Sequence, residues 1–460
     1  MEHYDAIIIG AGQAGIPLAK KLALAGKRTA VIEKRIVGGT CINDGCTPTK
    51  AMIASAQAAY KAKKAGDLGI EIGGVAVNFK KIIARKDQIV KSFQTSAQEG
   101  LESTEGLDLI MGEATFSGKK QLTITNSKGE KNIVTADWIF VNTGAKAMVP
   151  DIEGLEHIEY LTSTTILDLQ EVPEHLVVVG GNYIGLEFGQ MFQRFGSNVT
   201  ILERSPSIMG REDDDVSQEM RKILEEEGLR ILTHTNIETI TKTDDIISIN
   251  LVENGNTKTL TATHILVATG RAPQTDALNL KVPGVNTDQR GNVLVNERLE
   301  TNVKGIYALG DVNGGPAFTH IAYNDYTIVY RNLIENAQLT TKGRAVPYCI
   351  FTDPQLGRIG VSEKEAKEKG LDYLVAKIPM EQVARGIETG ETRGFMKAIV
   401  DRKSKEILGA CILASEGGEI MAVLQMAMKG GITYDQIRYG VFAHPTYSES
   451  LNNLFMRIED

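Results

Sequence analysis

The residues best suited to chemistry in this 460-residue chain are two cysteines, in Gly38-Gly39-Thr40-Cys41-Ile42-Asn43-Asp44-Gly45-Cys46-Thr47-Pro48-Thr49-Lys50. In a continuous helix, residues five apart stand about 8.6 Å from each other at Cα, beyond the ~7 Å that a disulfide tolerates. A working pair therefore requires the chain to bend, and Gly38, Gly39 and Gly45 supply that freedom. Pro48 and the alanine-rich run Ala51 to Ala59 start a helix just downstream, whose positive N-terminal end favours a thiolate. The stretch reads as a redox pair; the competing reading is two buried cysteines that never oxidise.

The length suggests two to four domains with ample core. A net charge of −8 argues against nucleic acid and anionic membrane as partners. Four cysteines in all, at 41, 46, 349 and 411, are too few for a secreted disulfide framework. No apolar run approaches membrane length, and Glu2 and Asp5 lead into a glycine motif and not a signal peptide, so a soluble cytoplasmic protein is expected.

Tyr4-Asp5-Ala6-Ile7-Ile8-Ile9 is a short strand opening into Gly10-Ala11-Gly12-Gln13-Ala14-Gly15, a helix to about Ala25, and a strand Arg28 to Ile32 ending on Glu33. Strand, glycines, helix, strand and acid in register form a dinucleotide fingerprint: the glycines let a pyrophosphate approach the helix N-terminus, and Glu33 accepts from ribose hydroxyls. Pro17 either removes a backbone bond in that helix or fits as a first-turn residue. Lys50 to about Ser103 reads as helical, with solvated lysine-rich faces, and Leu107 to Val141 as a small antiparallel excursion, with Trp138 as core. Ile139 to Gly144 is a strand ending in a small-residue turn, Asn142-Thr143-Gly144, which Ala268-Thr269-Gly270-Arg271 echoes. From Leu176 the opening repeats: a strand, Gly180-Gly181-Asn182-Tyr183-Ile184-Gly185, a helix through Phe195, a strand Val199 to Leu202, and Glu203. Two such units imply two dinucleotides and a hydride relay. Asn182 replaces the middle glycine, as the non-glycine residue best able to adopt a left-handed backbone. The acidic run Glu212 to Asp215 reads as a helix start. Ile306 to Asp311 ends a strand on an aspartate suited to a polyol or ribose hydroxyl, the Met-rich helix Ile420 to Met428 suits a partner subunit, and Ala443 to Glu449 reads by itself as a capped helix entry.

The cysteine pair, both fingerprints, Gly310-Asp311 and His444 to Glu449, in this order, resemble the flavoprotein disulfide reductases, the family of dihydrolipoamide dehydrogenase, glutathione reductase and mercuric reductase. The resemblance implies an α/β fold with two nested Rossmann-like dinucleotide-binding domains and a C-terminal α+β dimerisation domain. The FAD domain would be split between residues 1–148 and 272–343, with the NAD(P) domain at 149–271 and the dimerisation domain at 344–460. Gly10, Gly12, Gly15, Glu33, Gly39, Thr40, Thr143, Gly144, Gly310 and Asp311 would hold FAD, helped by the backbone of Ala114 and Thr319. Gly180, Gly185, Glu203 and Gly270 would hold the nicotinamide nucleotide. Cys46 would face the flavin, Cys41 would be the interchange thiol, and Lys50 and Glu187 would be the pair beside the ring. His444 and Glu449 would be the acid–base dyad, reaching across a two-fold axis so that a homodimer shares its active sites. The chemistry agrees: electrons pass to a close dithiol as a pair, the departing thiolate needs a proton donor, histidine titrates nearest neutral pH, and a glutamate five residues on orients it.

Thr47-Pro48-Thr49-Lys50, Arg211-Glu212-Asp213, Phe318-Thr319-His320 and Ser448-Glu449-Ser450-Leu451-Asn452 are most similar to the mercuric-reductase-like branch, including its copper-reducing, reactive-chlorine-responsive members. Without the C-terminal cysteine pair and N-terminal metal-binding domain of full mercuric reductases, Hg(II) delivery is not expected. Asp44, between the cysteines, adds negative charge that favours a cationic metal over an anionic disulfide. The expected activity is NAD(P)H-dependent reduction of a small disulfide or a metal ion through FAD and Cys41–Cys46, with no resident metal. NADH is expected over NADPH, because a carboxylate at Glu203 accepts two ribose hydroxyls and repels a 2′-phosphate. Dihydrolipoamide dehydrogenase and a non-enzymatic redox sensor are the alternatives.

Overall fold

The computed structural model describes residues 2–459, which divide into two compact units. The first is built from the chain up to Ala51, Ile83–Met148 and Gly270–Arg344; the second from Met52–Ile82, Val149–Thr269 and the chain from Ala345 onward.

In the first unit, Leu107–Met111, Thr29–Glu33, Glu2–Ile9 and Lys131–Val141 lie side by side in that order, all parallel. The other edge of Lys131–Val141 is shared. Its first half pairs antiparallel with Gln121–Thr125, and its last three residues pair parallel with Ile306–Ala308. The run Ala6 to Ile9 is apolar throughout because both faces of the sheet are covered. Ile7 and Ile9 pack into one core with Phe116, Leu122 and Val293, while Ala6 and Ile8 pack with Leu18 and Leu22 of helix Gly15–Leu24 and Val329 of helix Thr319–Ile334. Each isoleucine so buried contributes about 1.5–3 kcal/mol. Pro17 is the third residue of its helix, between Ile16 N, which donates to Gly12 O at 3.0 Å, and Leu18 N, which donates to Ala14 O at 3.2 Å, so its ring fits the first turn and interrupts a single bond there.

Three sequence expectations change here. Leu107–Met111 joins the parallel sheet, and only Glu113–Gly118, Gln121–Thr125 and the start of Lys131–Val141 form the antiparallel excursion. The long helical stretch is two helices, Cys46–Lys63 and Phe79–Glu102, separated where Gly66, Gly69, Gly73 and Gly74 lower helix propensity. Trp138 is half-buried at the rim, with Lys27 Nζ 5.5 Å from its ring centroid.

The second unit carries a parallel sheet ordered Arg230–Leu232, Asn198–Leu202, His175–Val179, His264–Val267, and an antiparallel one formed by Thr235–Thr243, Ile246–Glu253 and Asn256–Ala262. A five-stranded antiparallel sheet, from Tyr348–Ile350 to Tyr373–Pro379, packs against helix Gly417–Lys429 through Ile420, Met421 and Leu424, leaving Met426 62% exposed. The acidic run does start a helix, Asp214–Glu226, but it also does more: Asp213 accepts from the backbone N–H of Glu363 and Lys364, and buried Glu212 pairs with Tyr348 and Arg358. Among the described residues, no helix is long and apolar enough to cross a membrane.

Candidate active site

The registers of the first unit's parallel strands bring Gly10, Glu33, Asn142 and Leu309 to one edge of the sheet, at the carboxyl ends where α/β sheets bind ligands. Gly10, at φ 106°, turns strand into helix, and a Cβ there would lie 2.4 Å from Asn142 O. A Cβ on Gly15 would lie 2.3 Å from Gly10 O, so only glycine lets the helix approach the strand this closely. Glu33 Oε2 accepts from Ala11 N at 2.9 Å and Oε1 from Arg35 N at 2.8 Å, which aims the carboxylate at the turn with further lone pairs available. Gly112 N donates to Glu33 O at 2.9 Å, setting buried Ala114 just beyond.

Sequence reasoning missed Asn142. Its Oδ1 accepts from Gly15 N and its Nδ2 donates to Leu309 O, both at 2.9 Å, so one buried amide joins the helix start to the segment entering Gly310 and Asp311. The available signal was a polar residue closing the apolar run Ile139 to Val141. Gly310 N donates to Asp325 Oδ2 at 2.9 Å. Burial pushes the Asp311 carboxyl up, opposed by Arg271, whose Nε stands 3.7 Å away. Thr143 Oγ1 and Arg271 Nε are buried without hydrogen-bond partners, and Gly144 faces open space. Orphaned donors beside a glycine turn and two acids fit a dinucleotide such as FAD.

The cysteines lie against this turn. Gly38 and Gly39 take φ of 115° and 62°, and a Cβ on Gly39 would lie 2.8 Å from Gly12 Cα. Gly38 N donates to Ala11 O at 2.9 Å, and Gln13 Nε2 to Gly38 O at 3.1 Å. The chain bends as the spacing demands: a short helix Gly39–Asn43, carrying Thr40 and Cys41, stops at Asp44, and Cys46 begins helix Cys46–Lys63. Asn43, also unforeseen, caps the segment by donating to Val37 O and Gly39 O, each at 3.1 Å. Neither cysteine is in a disulfide; Cys41 is partly buried and Cys46 exposed. The Cys41 thiol is pushed well up, first by its hydrogen bond with Cys46 and then by burial, while the Thr319 hydroxyl and the Lys50 charge oppose the shift. Thr319 Oγ1 also stands 3.6 Å from Cys46 Sγ, so its side chain serves the thiols. The charge expected from Asp44 is corrected: its carboxylate is paired with Arg35, and no bare negative charge is presented to an acceptor.

The second fingerprint reproduces the first. Gly180, at φ 115°, has Ala268 O 2.5 Å from a hypothetical Cβ, and Gly185 has Gly180 O at 2.0 Å. Glu203 Oε2 accepts from Gly181 N and Oε1 from Ser205 N, both at 2.7 Å. Asn182 overturns the expected left-handed conformation. It is extended, at φ −102° and ψ −179°, and its side chain accepts from Tyr183 N at 2.9 Å as the helix N-cap. In the first unit, Gly270 (φ 138°) accepts from Met148 N at 2.9 Å.

Also in the second unit, buried Glu187 accepts from Phe351 N at 2.9 Å. His444 Nδ1 stands 2.9 Å from both Glu449 carboxylate oxygens, and the Glu449 N–H donates to Thr446 Oγ1 at 3.1 Å. The carboxylate fixes the Nδ1–H tautomer and leaves Nε2, on a ring whose side chain is 68% exposed, to exchange protons.

Residues 4–325 match the family model for pyridine nucleotide-disulphide oxidoreductases, and residues 346–455 match that family's dimerisation domain. The chain is 36% identical, over all of both sequences, to the probable pyridine nucleotide-disulfide oxidoreductase RclA of Escherichia coli. It is 34% identical to a mercuric reductase of Staphylococcus aureus, over 97% of this chain and 81% of that one. A dihydrolipoyl dehydrogenase of Geobacillus stearothermophilus is 31% identical over 97% and 94%. The solved Cu(II) complex of the HOCl-induced flavoprotein disulfide reductase RclA from Escherichia coli superposes with a TM-score of 0.92, at 36% identity and full coverage of both chains.

Proposed function

Because the chain belongs to the pyridine nucleotide-disulphide oxidoreductase family, whose flavoproteins use FAD and NAD(P)H, we propose that Cys41 and Cys46 are its redox-active pair and that a metal ion or small disulfide is its terminal acceptor. One observation carries the reading: two thiols in mutual hydrogen-bond contact across a helix break, backed directly onto the first glycine turn. Bound FAD supplies the electron pair that NAD(P)H delivers. Gly10, Gly12, Gly15, Glu33, Gly39, Thr40, Ala114, Thr143, Gly144, Gly310, Asp311 and Thr319 would hold it, and Gly180, Gly185, Glu203 and Gly270 would hold the nicotinamide nucleotide.

Reducing the Cys41–Cys46 disulfide consumes two electrons and two protons and yields two thiols. Cys46, at the head of a helix with Lys50 one turn on, is the thiol assigned to the flavin side. With a small disulfide as acceptor, Cys41 attacks one of its sulfurs, that S–S bond breaks and one thiolate departs, and Cys46 then attacks Cys41 Sγ to release the second thiolate and restore the Cys41–Cys46 disulfide. With a metal ion as acceptor, the two electrons of the dithiol pass to the metal and its two protons leave as the disulfide re-forms. The raised pKa of Cys41 means that it needs a base, and His444, oriented by Glu449, takes that proton and later returns one to the departing thiolate. The dimerisation-domain match supports a homodimer, and in the proposed assembly the base is His444 of the partner subunit. The proposed domain limits remain 1–148 with 272–343, 149–271 and 344–460: the first unit's breaks near 148 and 270 agree with them, whereas Met52–Ile82 groups with the second unit, which also holds Val149–Thr269 and the chain from Ala345 onward together; a cytoplasmic location is part of the same proposal.

Similarity to RclA, solved as a Cu(II) complex, and to mercuric reductases supports a metal ion as acceptor; similarity to dihydrolipoyl dehydrogenases supports lipoamide as the second reading. NADH consumption measured against lipoamide, oxidised glutathione, Cu(II), Hg(II), quinone and O₂ separates them. Turnover with a metal ion or small disulfide, lost in Cys41→Ser, is expected. Turnover confined to lipoamide establishes the second reading, and none with any acceptor points to a sensor.

A further inference from the structure

We propose that Arg35 and Asp44 form a clasp that holds the break between the two helices closed enough for Cys41 and Cys46 to join, and so sets the reduction potential of the pair. Asp44 ends the short helix with φ −135° and ψ 14°, and Gly45 follows before Cys46 opens the long helix. Running the two helices together would move the cysteines to about 8.6 Å at Cα, out of disulfide range. The Asp44 side chain, 15% exposed, is ion-paired to the Arg35 guanidinium, which is 51% exposed. Arg35 is itself anchored, since its backbone N–H donates to Glu33 Oε1 at 2.8 Å. A line of contacts therefore runs from the first glycine turn through Glu33 and Arg35 to the residue at which the redox segment bends. Both side chains act through the cysteines, as positioning residues. Released from the clasp, the dithiol samples geometries in which the two sulfurs are apart, while the disulfide, closed covalently, loses less. The balance moves toward dithiol.

The inference rests on reading Cys41 and Cys46 as the redox pair, and the test separates the two. The FAD-bound enzyme is equilibrated with dithiothreitol and its cyclic disulfide at several ratios. Two thiols of the reagent become one disulfide as one protein disulfide becomes two thiols. Alkylation and mass measurement then give the oxidised fraction at Cys41 and Cys46. Arg35→Gln, which keeps the backbone bond to Glu33, and Asp44→Asn should each shift the equilibrium about three- to fivefold toward dithiol, the size of a partly exposed ion pair, equivalent to about 15–20 mV for two electrons. The charge-swapped double variant, Arg35→Asp with Asp44→Arg, should recover most of the shift. A wild-type pair that never oxidises defeats the redox-pair reading. A wild-type pair that cycles, with single variants unchanged, shifted toward disulfide, or not rescued by the swap, overturns the clasp alone.

Discussion

Replacing Asn142 with alanine tests whether one amide holds the cofactor edge together. The substitution removes the acceptor of Gly15 N–H and the donor to Leu309 O, both at 2.9 Å and both buried. Each backbone group left unsatisfied costs about 1–3 kcal/mol, and partial relaxation brings the sum to roughly 2–4 kcal/mol. Asn142→Asp keeps the acceptor but turns a carboxylate oxygen toward the Leu309 carbonyl, and should be at least as damaging. Trp138, the only tryptophan, lies four residues away in strand Lys131–Val141, so its fluorescence during urea unfolding reports this unit. Flavin fluorescence on heating reports cofactor loss in the same samples. We expect both transitions to move to milder conditions in Asn142→Ala. A Trp138 transition within 0.5 kcal/mol of wild type by linear extrapolation would mean that the Asn142 amide does not hold this edge together.

Glu203 should give NADH a higher kcat/KM than NADPH, and Glu203→Ala should narrow that gap; a wild-type preference for NADPH contradicts the assignment. Asp215 is pushed up by burial but pulled further down by hydrogen bonds and charge from Lys377 and Lys397, for a net lowering. Its contribution is therefore present above the ordinary aspartate value of about 3.9 and lost as pH falls through its folded value. Asp215→Asn should thus melt lower at pH 7, with the difference from wild type closing below about pH 4; a gap that widens in acid reverses the sign. Cys46→Ser and His444→Ala, each nearly inactive alone, should recover about a quarter of wild-type sites when co-refolded in equal amounts, because half the dimers are mixed and each holds one intact site. No recovery despite proven heterodimers excludes active sites shared between subunits.

The glycine turns were legible because their requirements are local: Gly10, Gly15 and Glu33 need only the correct spacing, and Gly180, Gly185 and Glu203 repeat it. The bend between Cys41 and Cys46 followed from helix geometry alone. Asn142 was not legible, since its partners lie 127 and 167 residues away. Asn182 was read by backbone propensity, but a side chain able to cap a helix made an extended conformation cheaper. Asp44 was counted as a charge because nothing in the sequence pairs it with Arg35, nine residues back on the far side of a glycine turn. The pairing of Leu107–Met111 depended on which neighbour the strand met, which alternation of apolar residues does not specify.

In the proposed reaction, electrons from NADH reach Cys41 and Cys46. Under anaerobic conditions, with no acceptor added, the oxidised enzyme is titrated with NADH, alkylated at each step and mapped by mass. One equivalent of NADH per chain should convert the disulfide to two newly alkylated cysteines, at 41 and 46, leaving Cys349 and Cys411 unchanged. A flavin that bleaches while neither Cys41 nor Cys46 gains a label would put the pair outside the electron path.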